Sequence, residues 1–226
     1  MRNRRRSARN SEAGKSFVEI IIVLVIIGIL AAVSLPYIAN YRKLYRSEDQ
    51  ALKIMDLLRE AAQLSVTQRR TIRFEIDLTE NAILLIDQSQ NSPAGRRIKK
   101  VPLDATGYVR VDMIPSNIPG TAIPPTNPPT NYTNIAFSTD AVGHLAGATT
   151  VTGHSVWQAR FRQDGSVVNM NATPVPINAN IYIWPPVSSG SNAARNKNEI
   201  RAITMFGGSG AIRYWKYANT AFVANQ

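Results

Sequence analysis

The feature that most constrains this 226-residue chain is a long apolar run close to its N-terminus. The run belongs to the stretch GKSFVEIIIVLVIIGILAAVSLP, residues 14–36, and no charged residue occurs from Ile20 to Tyr41. A helix over Ile20 to Tyr41 rises about 33 Å at 1.5 Å per residue, enough to cross the hydrocarbon core of a bilayer. The sequence therefore predicts one transmembrane helix.

Basic residues before this run predict its orientation. Five arginines precede it: Arg2, Arg4, Arg5, Arg6 and Arg9. Positive charge beside a span favours the cytoplasmic side, so the chain after about residue 40 is predicted to lie across the membrane. The net charge of +11 also favours anionic partners, such as phospholipid headgroups or nucleic acid.

A secretory signal peptide cut near residues 31–34 is the main alternative interpretation of the run. The run is longer than the roughly 7–15 residues of a signal-peptide core, and its helical pattern continues past that point. Glu19 is also unexplained by a signal peptide. A charge near the bilayer centre costs about 2.5–3.5 kcal/mol on insertion scales, so this carboxylate needs a partner.

The spacing of Gly14, Glu19 and Pro36 resembles the prepilin signature of type IV pilins and type II secretion pseudopilins. This resemblance implies that a prepilin peptidase removes a leader, residues 1–14, and that the mature chain begins at Lys15. Family members usually begin with phenylalanine instead, and methylation of Lys15 is left open. Residues 15–41 would then form the transmembrane and filament-core helix.

The resemblance also implies roles for two residues in that helix. In the family, the glutamate at the position of Glu19 pairs with the α-amino group of a neighbouring subunit inside an apolar helix bundle. Satisfying a buried charge in this way rewards correct subunit stagger. Pro36 occupies the family's position for a helix kink, since proline removes a helical hydrogen bond. Lys15 is four residues before Glu19 and is predicted to pair with it locally.

Residues 42–68 have the pattern of an amphipathic helix. Leu44, Ala51, Leu58 and Ser65 recur every seven residues, with charges over much of the remaining surface. The sequence therefore predicts a helix from about residue 15 to 68, bent at Pro36, whose second half packs against a domain.

Residues 69–226 are predicted to form a β-rich periplasmic domain. The proposed strand segments are TIRFEID, AILLIDQ, GYVRVDMI, NIAFSTD, SVWQARFRQDGSVVNM and EIRAITMFGGSGAIRYWKY, with turns at 164–165 and 207–210. The fold class is therefore α+β, a long helix on an antiparallel sheet. The proline-rich loop 115–131 is predicted to project from the sheet, and residues 188–198 to be mobile and solvated.

Three segments resemble the GspH/FimT group of minor pilins: LLREAAQLSVTQRRTIRFEI, FRQDGSVV and ITMFGGSGAIRYWKY. The resemblance implies a type IV pilin-like fold and a structural subunit of a type II secretion pseudopilus or type IV pilus. Its partners would be other pilins, the prepilin peptidase and the bacterial inner membrane, which the chain would cross once.

Catalytic and metal-binding patterns find little support in the sequence. There are no cysteines, and no nucleophile elbow, phosphate loop or zinc-protease motif is present. His144 and His154 are interpreted as loop histidines without clustered carboxylates, and the aspartates Asp77, Asp87, Asp104 and Asp164 as scattered. The sequence therefore predicts a protein that is not an enzyme and uses no cofactor or metal.

Basic residues support a second hypothesis, DNA uptake. Arg213 and Lys216 flank two aromatic residues near the C-terminus, in a segment resembling the DNA-binding motif of some FimT-like pilins. Together with the clusters Arg69, Arg70, Arg73 and Arg96, Arg97, Lys99, Lys100, they are predicted to build a cationic face for non-specific phosphate contacts. A third hypothesis is an uncleaved, single-pass, membrane-anchored binding domain.

Overall fold

The computed structural model of the chain describes residues 17–89, 94–125 and 131–224, with the side chains of these residues outside 35–44. The chain divides into two compact units, Met1–Arg42 and Lys43–Gln226. One helix, α1, spans Phe17–Thr67 and supplies residues to both units. This confirms the predicted long helix over its described part.

α1 ends at Thr67 in a backbone turn. Arg69 adopts a left-handed φ of 50°, and the amide of Arg70 donates to the carbonyl of Ser65 at 3.1 Å. Such a bond around a left-handed residue is a Schellman termination, a position where glycine is usual. This turn directs the chain into the first strand.

Fourteen strands follow within the described residues: β1 Ile72–Asp77, β2 Ala82–Asp87, β3 Arg96–Pro102, β4 Arg110–Asp112, β5 Thr133–Asn134, β6 Ser138–Thr139, β7 His144–Ala146, β8 Thr149–Val151, β9 Ser155–Phe161, β10 Val167–Val168, β11 Ala179–Trp184, β12 Arg201–Phe206, β13 Ala211–Ala218 and β14 Ala221–Ala224. A 3-10 helix at Lys197–Glu199 precedes β12. The chain is therefore an α+β protein.

These strands form two sheets in the described part of the chain. The first sheet has the order β10-β9-β1-β2-β3-β7-β8, with β6 also on β9; the second has the order β14-β13-β12-β11-β4, with β5 also on β11. Most pairs are antiparallel, and the exceptions are β3 with β7 and β5 with β11. The hairpins predicted for β1–β2 and β12–β13 are both confirmed.

A hydrophobic core joins the second half of α1 to both sheets. Ile54 and Leu58 of the helix pack in the same cluster as Phe74 of the first sheet and Ile203 of the second. The predicted heptad face is buried at Ala51, Leu58 and Ser65, because these residues point into this core. The amphipathic pattern therefore correctly identified the packing face.

Several strand predictions need correction. The segment predicted as a strand from residue 134 to 140 contains only β5 and β6, each two residues long, and residues 107–114 contain only β4. Strand β11 was not predicted, although all six of its residues are buried. Its last four residues, Ile181–Trp184, are all apolar or aromatic because both faces of the second sheet are covered, which removes the alternating signal.

The prediction that the proline-rich loop projects from the sheet is wrong at Pro115, Ile118 and Pro124, which are buried, whereas most of the other residues from 116 to 125 are exposed. Ile118 is buried against Tyr182 and Trp184 on the outer face of the second sheet. Asn117 donates to the carbonyl of Ala194 and accepts from its amide, which fixes the loop to a neighbouring segment. Residues 126–130 lie outside the described residues.

The prediction that residues 188–198 are solvated is confirmed for most of the segment, which is exposed, but not for Ala194; their mobility stays a prediction. Ala194 is buried in the same outer cluster, and it forms a β-bridge with Pro186. The segment ends in the 3-10 helix, whose Asn196 side chain accepts the amide of Asn198. Both loops therefore form a second layer over the sheet.

Candidate functional site

In the first unit, the helical residues Phe17–Ser34 expose mostly apolar side chains. Phe17–Ser34 has a mean hydropathy of 3.0, and none of these residues is buried. The helix is long and apolar enough to cross a membrane. Glu19 is the one charged residue within Phe17–Ser34 and lies exposed in the first turn of α1. The hydroxyl of Ser34 donates a hydrogen bond to the carbonyl of Leu30 at 2.6 Å.

The described structure does not test the predicted roles of Gly14, Lys15 and Pro36. Gly14 and Lys15 lie outside the described residues, so cleavage between them stays a prediction. Pro36 lies inside α1, where its side chain is not described, and the bend predicted there also stays a prediction.

Arg213 and Lys216 do not share a surface. They are three residues apart on β13, and side chains alternate along a strand, so the two point to opposite faces. Arg213 is exposed, whereas the Nζ atom of Lys216 lies 2.7 Å from Oε1 of Glu48 on α1. Arg201 also reaches Glu48, at 3.3 Å from Oε2. The predicted joint cationic site is therefore wrong in its geometry.

Glu48 is held ionised by these two cations. Burial on its own raises the pKa of Glu48, but the hydrogen bond from Lys216 and the charge of Arg201 bring it below its ordinary 4.5. This ion-pair cluster ties α1 to the second sheet.

The remaining basic clusters are largely neutralised or buried. Arg73 is fully buried, contrary to the prediction that it contributes to a cationic face. Arg97 and Lys100 both contact Glu80, at 3.2 and 2.6 Å, and Lys99 pairs with a helix glutamate. Paired side chains of this kind lose much of their capacity for phosphate contacts.

A buried charged cluster lies on the outer face of the first sheet. Along β1, the core residues alternate with Arg73, Glu75 and Asp77, each fully buried. The segment from Asp140 to His154 covers them, since Asp140 and His144 are also buried and contact this face. Arg73, Glu75 and Asp77 in this cluster are the only charged side chains of the described residues at 0% exposure.

The distances within the cluster define its connections. The Nη2 atom of Arg73 donates to the carbonyl of Gly143 at 2.7 Å, and its Nε lies 3.4 Å from Oε2 of Glu75. Gln158 donates to the same Oε2 at 2.8 Å. Asp140 accepts the backbone amides of residues 142 and 143, both at 3.0 Å, which shapes the covering loop.

His144 has a different environment. Both of its ring nitrogens lack a hydrogen-bond partner among the described residues, although the ring is 1% exposed. Its Nδ1 lies 3.6 Å from Oε1 of Glu75, too far for a hydrogen bond, and that oxygen also lacks a donor. Unpaired buried polar atoms are unfavourable, so these atoms require an explanation.

Burial dominates the electrostatics of the cluster. Loss of solvent raises the pKa of Glu75 to about 7, against the opposing effects of Arg73 and Gln158. Burial lowers the pKa of His144, and the positive charge of Arg73 lowers it further. The imidazole is therefore held neutral, the form that binds metals.

The second histidine pairs with a carboxylate through Nδ1 and forms, with Asp77 and Glu80, a second group of possible ligands within 4.8 Å of one another. His154 Nδ1 lies 2.6 Å from Oδ2 of Asp77, whose other oxygen accepts the amides of Thr79 and Glu80. The interpretation of both histidines as remote from clustered carboxylates is therefore wrong. Each histidine meets carboxylates that are distant in sequence but adjacent on the sheet.

One local signal pointed toward this cluster. The strand segment TIRFEID alternates apolar residues with Arg73, Glu75 and Asp77, a pattern typical of a solvent-exposed face. Burial of that face depends on the segment after β6, which the sequence does not connect to β1.

No protein-family model, curated protein or solved structure matches this chain. The resemblance to pilins therefore rests on the N-terminal motif and on the three segments quoted above.

Proposed function

We propose that this chain is a minor pilin or pseudopilin of the GspH/FimT type, a structural subunit of a periplasmic filament anchored in the bacterial inner membrane. The observation that carries the proposal is α1 itself. Its apolar segment Phe17–Ser34 is wholly exposed and includes a single carboxylate, and the same helix continues into the core of a β-rich unit.

An exposed apolar helix of this length requires either lipid or other helices around it. Lipid satisfies the apolar side chains but offers Glu19 no partner beyond the local pairing predicted with Lys15. A bundle of identical helices satisfies both, provided that a positive group from a neighbour reaches the carboxylate. Cleavage after Gly14 would create that group, the α-amino group of Lys15. This is why processing and assembly belong together in the proposal.

The type IV pilin-like fold is part of the proposal. The second half of α1 packs against antiparallel strands, as the resemblance implies, and the heptad face of that half is buried. In the filament, residues 15–41 would lie in the core and residues 69–226 would present the subunit's surface to other pilins.

The first test is the N-terminus of the protein in cells, determined by mass spectrometry with and without the prepilin peptidase. We expect a chain beginning at Lys15 only when the peptidase is present. An intact Met1 in both strains would support the uncleaved anchored domain instead. A start near Val33 or Leu35 would indicate a signal peptide.

The second test concerns the carboxylate. Glu19→Ala is expected to be processed and inserted normally but to be lost from sheared filament fractions, because its stagger-setting partner is gone. Ser34→Ala is the matched control, since it removes the other polar side chain beyond Glu19 in Phe17–Ser34, whose hydroxyl is satisfied within the helix. Incorporation of both variants at the wild-type level would contradict the assembly role.

The DNA-uptake alternative has no specific observation in its favour. It requires salt-sensitive binding to duplex DNA that falls when Arg213 and Lys216 are neutralised together. Since Lys216 pairs with Glu48, Lys216→Ala is expected to act through stability rather than through phosphate contact.

A further inference from the structure

We propose that Glu75, Asp140 and His144 bind one divalent transition-metal cation, with Zn²⁺ as the first candidate. One ligand atom from each side chain lies within 4.8 Å of those of the other two. All three side chains are more than nine-tenths buried. They come from β1, the loop after β6 and the start of β7.

The unpartnered atoms of the cluster point to a ligand. Oε1 of Glu75 and both ring nitrogens of His144 are buried without hydrogen-bond partners among the described residues. The 3.6 Å between Oε1 and Nδ1 is too long for a hydrogen bond. It does suit two ligands of one ion, because donors about 2.1 Å from a tetrahedral zinc lie about 3.4 Å apart.

Neighbouring groups orient the ligands. Gln158 donates to Oε2 of Glu75 and leaves Oε1 free to coordinate. The amides of Val142 and Gly143 hold the carboxylate of Asp140, whose oxygens each retain a lone pair. Such outer contacts are typical of metal sites, where they fix the ligand's direction.

The donor set selects the class of metal. One imidazole nitrogen with two carboxylates suits zinc and its first-row neighbours, whereas Ca²⁺ and Mg²⁺ prefer oxygen donors alone. The carboxylates of Glu75, Asp77 and Asp140 interact within the cluster, and the cations that act on its members are Arg73, Arg97 and Arg160. Nη2 of the Arg73 guanidinium donates to the carbonyl of Gly143 and Nε lies 3.4 Å from Oε2 of Glu75, while Nε and Nη1 have no hydrogen-bond partner among the described residues.

The bound ion would fasten the covering segment to the sheet. His144 and Asp140 lie on that segment and Glu75 on β1, so one ion would close a long loop of chain. The inference is independent of the filament proposal, because it depends only on the second unit.

The experiment uses the full chain in detergent, without a polyhistidine tag and after removal of metals with a chelator. Zn²⁺ is titrated by calorimetry, and thermal unfolding is followed with and without Zn²⁺. The test variant is His144→Gln and the matched control is His154→Gln, because His154 is the only other histidine and pairs with Asp77. A second variant, Glu75→Gln, removes charge from a different ligand.

We expect one equivalent of Zn²⁺ on the wild type and on His154→Gln, with a higher Tm in each. His144→Gln and Glu75→Gln are expected to weaken binding at least about tenfold, since even the loss of an outer-shell group costs that much. Cobalt in place of zinc should give the visible absorption of a coordinated ion in the wild type, a readout that does not depend on how the variants fold. Absence of stoichiometric binding to the wild type, or equal loss in His154→Gln, would overturn the proposal.

Discussion

Replacing Arg73 by methionine tests the buried cluster most directly. The methionine side chain matches much of the volume but removes the charge. It leaves the Glu75 carboxylate buried without its cation and the carbonyl of Gly143 without the donor now at 2.7 Å. Breaking a buried ion pair from one side costs about 3–5 kcal/mol. At about 2–4 °C per kcal/mol for a unit of this size, the Tm should fall by roughly 6–20 °C.

The matched control is Arg97→Met, which breaks another arginine–glutamate pair on the same sheet. Arg97 contacts Glu80 at 3.2 Å with both side chains partly exposed, and Lys100 still pairs with Glu80 at 2.6 Å after the change. Pairs near solvent contribute about 0–1 kcal/mol, so the Tm should move by a few degrees at most.

The assay is thermal and urea unfolding of the full chain in detergent, with a chelator present so that no metal contributes. Combining Arg73→Met with Glu75→Gln should recover part of the stability lost in the single variant, because the second change removes the uncompensated carboxylate. Equal losses for Arg73→Met and Arg97→Met would refute the reasoning. The reasoning would also be refuted if the double variant lost as much unfolding free energy as the two single variants lose in sum.

Three further predictions concern the second unit. The pKa of Glu48 is lower in the folded chain than the ordinary 4.5, so its ion pairs stabilise the fold above pH 4.5, and this stabilisation is lost as the pH falls through the folded pKa. In a pH series of thermal melts, Glu48→Gln should therefore reduce the decrease in Tm at acidic pH. An unchanged decrease would contradict this prediction. Leu58→Ala should lower the free energy of unfolding by about 2–5 kcal/mol because Leu58 is 0% exposed. Leu52→Ala on the same helix should cost under about 1 kcal/mol, since Leu52 is 37% exposed. Equal urea midpoints for the two variants would exclude this packing. Gly207→Ala should cost about 1–3 kcal/mol, since a Cβ there would lie 2.5 Å from the backbone oxygen of Ile177. Gly107→Ala, with no atom within 4 Å, is the control expected to be nearly neutral by the same melts.

The parts of the fold that could be predicted are those encoded by local pattern. The heptad spacing of α1 identified its buried face, and the two apolar-rich segments on either side of residues 78–81 identified the β1–β2 hairpin. The glycine-rich sequence at 207–210 likewise predicted the turn between β12 and β13, because glycines allow a close backbone approach that other residues prevent.

The parts that were missed depend on a second layer over each sheet. Strand β11 has no alternation because Ile118 and Ala194, each from a largely exposed loop, cover its outer face. His144 was interpreted as a loop residue because nothing nearby in the sequence marks its approach to Glu75. Polar residues on β1 were consistent with solvent, yet they are buried under residues 140–154.

The sequence by itself determined the helix of membrane length, its lone carboxylate and the amphipathic half that follows. These depend on residue type and on spacing within a few turns. The tertiary structure alone decided which faces of the sheets are buried and which charged groups meet there. Arg73 and Gly143 are 70 residues apart and still share a hydrogen bond. Contacts at that separation follow from how the strands are ordered and covered, which no local pattern specifies.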